Sequence, residues 1–268
     1  MPDARGDPNR RLTNAERREE ARLKREELQR RMAKKKRGRM LGGLALIVAA
    51  ALLVALVVFE PFAGDNPGAD PADLLARAPA ATDAAGCTDV ETIGPYGDIS
   101  DPGDPGYLDE IHIGSEQAPA PPKLSTYPSV PPTSGPHAQS PQPAGVYPQP
   151  PEVYGTLHSL EHGATIVWYR PTATGPRLDE LTSFYGQRVS DAAVGQDRVL
   201  VAPYEYPAEG EAGSLPAGVE MALVSWHHMQ TCTAVSLPAA FAFTSAYSAP
   251  PSADQDYAGD APEAGGAL

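Results

Sequence analysis

Short apolar runs in the second half of the chain predict the core of a folded domain. Three of these runs have the length of buried strands, and they cover residues 164–169, 198–202 and 219–226. Apolar residues recur at helical spacing over residues 177–188, and a second helix is predicted over residues 238–247, with Ser236 as its N-cap. The order strand, helix, strand, strand, helix predicts a small α+β domain with two helices on one face of a mainly antiparallel sheet.

The longest apolar run, residues 40–59, contains no charged residue and has the length of about 20 residues that a helix needs to span a bilayer. A basic cluster at residues 34–39 precedes it, and no Lys or Arg follows until Arg77. Because positive residues favour the cytoplasmic side, this asymmetry predicts a single-pass protein with a cytoplasmic N-terminal segment and with residues 60–268 extracytoplasmic. A cleaved signal peptide is the alternative, but its apolar region is shorter, about 7–15 residues, and ends at a small-residue cleavage site.

The charge of the chain is divided at this run. Residues 1–39 hold 15 Lys and Arg against 7 Asp and Glu, whereas residues 60–268 hold 6 against 27. A capping-box pattern at residues 13–16 and many helix formers predict a solvated helix in the basic segment, whose end contacts anionic lipid headgroups of the membrane. Nucleic acid is not an expected partner, because the basic residues adjoin the membrane boundary. The sequence identifies no protein partner.

Composition divides residues 60–268 into three parts. Residues 60–85 are rich in Pro, Ala, Gly and Asp and are expected to form a flexible linker, and residues 249–268 have the composition of a disordered tail. The extracytoplasmic domain is predicted over residues 86–248. Its first half is expected to be a long irregular section that wraps the domain, because residues 119–151 contain 12 prolines.

The two cysteines, Cys87 and Cys232, lie near the two ends of the predicted domain. An oxidising compartment outside the membrane favours a disulfide between them, with two unrelated thiols as the alternative. Closing so long a loop stabilises a fold by about 4–5 kcal/mol in the chain-entropy model.

All six histidines follow the apolar run, and two of them share a short string with a carboxylate. His158 and His162 stand four residues apart, and Glu161 adjoins the second. In a helix this spacing places both imidazoles on one face, close enough to bind one ion. Histidine is a common metal ligand, so the string is a candidate site.

Several strings in this part of the chain resemble the bacterial domain of unknown function 3105. They are Ile111-His112, residues 127–137, Gly145-Val146-Tyr147 and residues 158–163. The resemblance covers residues 87–247 and implies a domain tethered by one N-terminal membrane helix, with a site but no established activity. Residues 225–228 depart from it, since they include two adjacent histidines where the family has an Ala-Trp-Gly-like string.

These strings together predict a histidine-rich, transition-metal-binding site in the bacterial cell envelope. Its expected ligands are His112, His137, His158 and His162, with Glu161 as a further ligand or as a group behind the ligands. Imidazoles with a carboxylate suit zinc or copper, and coordination geometry decides between the two. The sequence favours binding over catalysis and predicts no catalytic residue, because no nucleophile stands in a recognisable setting.

Three other interpretations stay open. The histidines can form a hydrogen-bonded cluster that fixes an irregular segment to the sheet without metal. His158 to His162 also match the pattern of inverted zincins, metal-dependent hydrolases in which two His bind zinc and the Glu is the general base. The acidic domain can also be a scaffold or interaction module of the cell envelope. His227 and His228 are expected in a loop at a strand end, although with Met229 they also offer a copper cluster.

Overall fold

The computed structural model describes residues 70–98, 101, 103–104, 107–192, 195–252 and 255–268. The predicted cytoplasmic segment, the membrane span at residues 40–59 and the first part of the linker lie outside the described residues. Along the part of the chain that is described, no helix combines the length and the apolar character needed to cross a bilayer.

Six strands of the described chain form one sheet. They are β1 (Glu91–Thr92), β2 (Gly145–Val146), β3 (Thr165–Tyr169), β4 (Val199–Pro203), β5 (Met221–Ser225) and β6 (His228–Cys232). Their order across the sheet is β1-β6-β5-β3-β4-β2. Three neighbouring pairs are antiparallel, whereas β3 and β2 both run parallel to β4.

The described residues form more α-helices than the two that the sequence predicts for the extracytoplasmic domain. They are α1 (Pro71–Ala84), α2 (Val153–Glu161), α3 (Pro176–Arg188) and α4 (Leu237–Tyr247). The predicted helices are confirmed as α3 and α4. α1 lies in the predicted linker, where the side chain of Asp70 caps the helix by accepting a hydrogen bond from the N–H of Ala72 at 2.8 Å. Leu74 on this helix is completely buried in the core, so the second half of the predicted linker is part of the domain.

The sheet is mixed, which corrects the prediction of a mainly antiparallel one. α3 lies between β3 and β4 along the chain. A strand–helix–strand connection returns the chain to the same end of the sheet, so its two strands run parallel. The strand–helix–strand order predicted over residues 164–202 already contains this unit.

Helices cover both faces of the sheet, not one face as predicted. α1, α3 and α4 pack against the face that carries Val167 and Val201. Side chains alternate along a strand, so Ile166 and Leu200 point to the opposite face. α2 covers that second face through residues such as Leu157, together with the irregular section.

The Pro-rich section is irregular and packed, as predicted. Between residues 107 and 152, the described chain contains only β2 and a 3-10 turn at Leu124–Thr126 as regular elements. Leu124 is completely buried, and its N–H donates to a side-chain oxygen of Glu209 at 2.9 Å. Tyr127 is also buried against the second face of the sheet. Apolar side chains between the prolines therefore attach the section to the core.

The predicted disulfide between Cys87 and Cys232 is confirmed, with an S–S distance of 2.07 Å. Cys232 ends β6, and Cys87 lies between α1 and β1, so the bond joins positions 145 residues apart in sequence. Strand-like pairing continues beside it, since the N–H of Thr88 donates to the carbonyl of Thr231 at 2.9 Å.

Residues 255–268 differ from the disordered tail that composition predicts, because their backbone is paired with α2 and α4. The N–H of Glu263 donates to the carbonyl of Glu161 at 3.0 Å, and the N–H of Gly265 donates to that of His162 at 3.1 Å. The last carbonyls of a helix have no partner within the helix and offer such a segment ready acceptors. We call residues 261–268 the closing segment.

Candidate metal centre

α2 and the residue after it supply three of the predicted ligands. The ligands are His158, Glu161 and, at the C-cap, His162. The Glu152 side chain caps the helix by accepting hydrogen bonds from two N–H groups of the first turn, and Leu157 and Leu160 are completely buried in the core at the second face of the sheet. Gly163 ends the helix at φ 84°, where a Cβ would clash with the side chain of Ala249. The predicted helical spacing is confirmed, because the Nε2 atoms of the two imidazoles lie 3.0 Å apart.

His137 reaches the centre from a turn that requires glycine. Gly135 has φ 116°, and a Cβ there would lie 2.8 Å from the ring of Tyr127, so only glycine fits. The carbonyl of Gly135 accepts a hydrogen bond from Nδ1 of His137 at 2.9 Å. The His137 imidazole is completely buried, with the Trp226 ring edge-on beside it.

Asp109, a residue that the sequence does not single out, connects the backbone near His112 to two other irregular segments, those of Tyr96 and Ser134. Its completely buried carboxylate accepts hydrogen bonds from the Ser134 hydroxyl at 2.6 Å and from the N–H of Tyr96 at 2.7 Å. Nearby, His112 and His137 pair in a parallel backbone bridge. The bridge brings residues 25 positions apart in sequence side by side, and the centroids of their rings are 4.8 Å apart.

Four of the predicted ligands lie together, and the fifth, His162, lies at the edge of their group. The ring centroids of His112, His137 and His158 are 4.8, 4.9 and 5.0 Å apart, and Oε2 of Glu161 lies 3.0 Å from Nε2 of His137. Ligand atoms of these four residues lie within 4.8 Å of one another, so the group can hold a metal ion. His162 is outside this compact group, although its Nε2 touches that of His158.

The neighbours of three rings determine which nitrogen carries the proton. The Nδ1 atoms of His137, His158 and His162 contact the backbone carbonyls of Gly135, Ala138 and Ala267 at 2.9, 2.7 and 2.7 Å. A carbonyl oxygen only accepts hydrogen bonds, so each Nδ1 is the donor and each neutral ring turns an Nε2 lone pair toward the centre. Metal-binding histidines are commonly oriented in this way by groups behind them.

Two contacts in the centre consequently join an acceptor to an acceptor. One lies between Nε2 of His137 and Oε2 of Glu161, and the other between the Nε2 atoms of His158 and His162, both at 3.0 Å. Within the described residues, neither His137 Nε2 nor Glu161 Oε2 makes a hydrogen bond. Each buried polar atom left without a partner costs about 1–3 kcal/mol. A cation between such atoms would remove this cost.

Burial favours the neutral form of His158, which is the form that metals bind. Burial lowers the pKa of His158, as do the neighbouring His137 and His162, and these effects outweigh the hydrogen bond to Ala138 that raises it. A neutral imidazole offers the lone pair needed for coordination. Two nitrogen ligands at 2.0–2.1 Å from a tetrahedral zinc are about 3.3 Å apart, so the 3.0 Å contacts are close to a ligand spacing.

The adjacent histidines at the departure from the family pattern do not join this group. His227 lies in the turn between β5 and β6 at φ 59°, and its Nε2 donates to the buried carboxylate of Asp109 at 2.6 Å. Burial would lower the pKa of His227, but the hydrogen bonds to Asp109 and Asp260 outweigh it and raise the pKa to about 9. Nε2 of His228 lies 3.3 Å from Asp260. His227 thus lies at a strand end, as expected, but both histidines are half-buried and lie against carboxylates.

Glu263 is a carboxylate at the centre that the sequence does not predict. Its Oε2 lies 3.1 Å from Nε2 of His162, and a second group with metal-ligand spacing is formed by Glu161, His162 and Glu263. Nothing in the sequence distinguishes this residue, because it stands in a stretch of Ala, Gly and Pro that predicts disorder.

A family model described as "Protein of unknown function (DUF3105)" matches residues 122–261. The matched region begins after His112 and includes the other predicted ligands, His137, His158, Glu161 and His162. No curated protein and no solved structure matches the chain.

Proposed function

Since the chain belongs to the DUF3105 family, whose function is unknown, we propose from its own side chains that it is a transition-metal-binding domain. In this proposal His112, His137, His158 and Glu161 bind one zinc or copper ion. His137 and His158 coordinate through Nε2, because their Nδ1 atoms are engaged with backbone carbonyls.

One observation carries the proposal, the contacts between buried acceptors in the centre. A hydrogen-bonded cluster without metal needs one extra proton between His137 and Glu161 and another between His158 and His162. The first proton only neutralises the Glu161 carboxylate, but the second would leave a net positive charge on the adjacent rings of His158 and His162, and burial already lowers the pKa of His158. A single divalent cation uses the lone pairs of His137, His158 and Glu161 as they stand and needs no extra proton on these residues.

The ligand set favours two metals. Imidazole suits zinc, copper, iron and nickel, and a closed set of three imidazoles and one carboxylate is compatible with tetrahedral zinc. Copper(II) takes the same nitrogen and oxygen ligands in a tetragonal arrangement. We therefore propose zinc or copper.

Binding is preferred to hydrolysis because of the position of Glu161. In an inverted zincin the corresponding carboxylate is the general base and must reach a water molecule on the metal. The Glu161 side chain is only 3 % exposed and lies against Nε2 of His137, a position suited to a metal ligand. α2 is also only nine residues long.

The proposed setting is the outer side of a membrane. Residues 40–59 anchor the chain, the basic segment before them lies on anionic lipid, and the metal centre is extracytoplasmic. The disulfide between Cys87 and Cys232 supports this setting, because disulfides persist in oxidising compartments.

Metal analysis of the full-length protein, purified without chelators, tests the proposal. We expect at least one zinc or copper ion per chain, lost in His137→Gln and in His158→Gln. His228→Gln is the matched control, because that ring pairs with Asp260 outside the compact group. Electron paramagnetic resonance then separates Cu2+, which gives a signal, from Zn2+, which gives none. A folded wild-type protein that carries no transition metal and is not stabilised by added zinc or copper would contradict the proposal.

A further inference from the structure

His162 and Glu263 form a second set of ligand atoms beside the proposed ion. Nε2 of His162 lies 3.1 Å from Oε2 of Glu263 and 3.0 Å from Nε2 of His158. Glu161 belongs to both groups of residues with metal-ligand spacing, since it is grouped with His162 and Glu263 as well as with the three other histidines. The shared carboxylate places the two groups next to each other.

The closing segment fixes the His162 ring. Nδ1 of His162 donates to the carbonyl of Ala267 at 2.7 Å. A Cβ on Gly266 would lie 2.7 Å from ring atoms of His162, so the backbone at this glycine packs directly on the imidazole. Nη1 of Arg198 donates to the carbonyls of Gly266 and His162 at 2.8 and 3.2 Å, which joins the two segments. The ring is therefore held with its Nε2 toward Glu263.

This Nε2 faces two acceptors at once. A proton on it can be donated to Glu263 or to His158, but one N–H cannot point at both. A cation near Nε2 interacts favourably with both neighbours. A carboxylate with two oxygens can also bridge two metal ions, which lie about 3.5–4 Å apart in two-metal sites.

We infer that the centre binds a second divalent cation, coordinated by His162, Glu263 and the shared carboxylate of Glu161. This inference rests on the proposed function, because the first ion positions Glu161. One imidazole with two carboxylates suits Zn2+ or Mn2+. The Glu263 side chain is 61 % exposed, so the second position is more open than the first and exchanges its ion more readily.

Zinc stoichiometry of the full-length protein tests the inference. The protein is stripped with chelator, dialysed against excess Zn2+ and analysed for zinc per chain by mass spectrometry. We expect two zinc ions in the wild type and one in Glu263→Gln. Glu211→Gln keeps two, because Glu211 is exposed in the 3-10 segment Pro207–Gly213 and belongs to neither group.

The outcomes separate the inference from the proposed function. One zinc in the wild type overturns the second position and leaves the first, whereas none overturns both. Two zinc ions in both the wild type and Glu263→Gln place the second ion elsewhere on the protein and also overturn the inference. X-ray absorption of the wild type adds a measurement without a variant: a zinc–zinc distance of about 3.5–4 Å is expected, and its absence at two zinc per chain overturns the inference.

Discussion

Replacing Glu161 with Gln distinguishes a metal site from a hydrogen-bonded cluster, because the two interpretations predict opposite effects on the metal-free protein. In a metal site the ion is what stabilises the buried carboxylate beside His137. Without the ion, two acceptors face each other at 3.0 Å. In a cluster, a proton already joins them, and the charged pair contributes to stability.

The magnitudes follow from these contacts. In a metal site, Glu161→Gln removes a buried charge and supplies an amide N–H that can donate to Nε2 of His137. Relief of one unsatisfied acceptor, about 1–3 kcal/mol, predicts that the metal-free variant is more stable than the wild type by about 2 kcal/mol. For a domain of this size that raises the Tm by about 4–8 °C. In a cluster, loss of one partner of a buried charge pair instead lowers the stability by about 3–5 kcal/mol.

Added metal has the opposite effect on the comparison, because it should stabilise the wild type more than the variant. Zinc at 100 times its Kd stabilises the wild type by about 2.7 kcal/mol, and a variant that lacks a charged ligand gains much less at the same concentration. The assay is urea and thermal unfolding followed by circular dichroism, with chelator and then with zinc. Glu220→Gln is the control, because its partly exposed ion pair with Arg170 predicts a change within about 1 kcal/mol in both conditions. The reasoning is refuted if metal-free Glu161→Gln is less stable than the wild type by 3 kcal/mol or more, or if zinc stabilises both proteins equally.

Three further predictions concern the scaffold around the centre. The pKa of His227 is raised to about 9, so its ion pair stabilises the fold fully below pH 6.5, and this stabilisation is lost as the pH rises through about 9. His227→Asn, whose side chain tolerates φ 59°, should remove this pH dependence of Tm and about 1–3 kcal/mol of stability at pH 6.5. His228→Asn is the control and should keep the pH dependence. The double replacement of Cys87 and Cys232 by Ser lowers the unfolding free energy by about 5 kcal/mol, measured by urea denaturation, and an unchanged midpoint would show that the 145-residue closure contributes nothing. Gly135→Ala puts a side chain at φ 116° against the Tyr127 ring, so we expect the free energy of unfolding to fall by about 2–3 kcal/mol. Zinc affinity, measured by titration calorimetry, should also be weaker. An unchanged affinity would show that this turn does not position His137.

Local spacing made part of the site predictable from the sequence. His158 and His162 stand four residues apart, a spacing that places both rings on one face of a helix. The disulfide was predictable for a different reason, since two cysteines permit only one pairing. These predictions needed no knowledge of how distant segments meet.

Long-range pairing explains what sequence patterns missed. The buried carboxylate of Asp109 and the contact of Glu263 with His162 depend on irregular segments that have no periodicity to interpret. The position of Glu263 is set by carbonyls at the end of α2 that accept from its backbone, and not by its own side chain. The parallel pairing of β3 with β4 is different, because the intervening helix was visible in the sequence and its effect on strand direction follows from chain geometry.

The bond between Cys87 and Cys232 has a consequence for maturation of the protein. His112, His137, His158 and Glu161 all lie on the covalent ring that this bond closes. Ring closure restricts the unfolded chain, so less configurational entropy remains to be lost when an ion gathers the four residues. In the proposed setting, a newly made chain in a reducing cytoplasm is therefore expected to hold its ion more weakly than the oxidised, exported protein does.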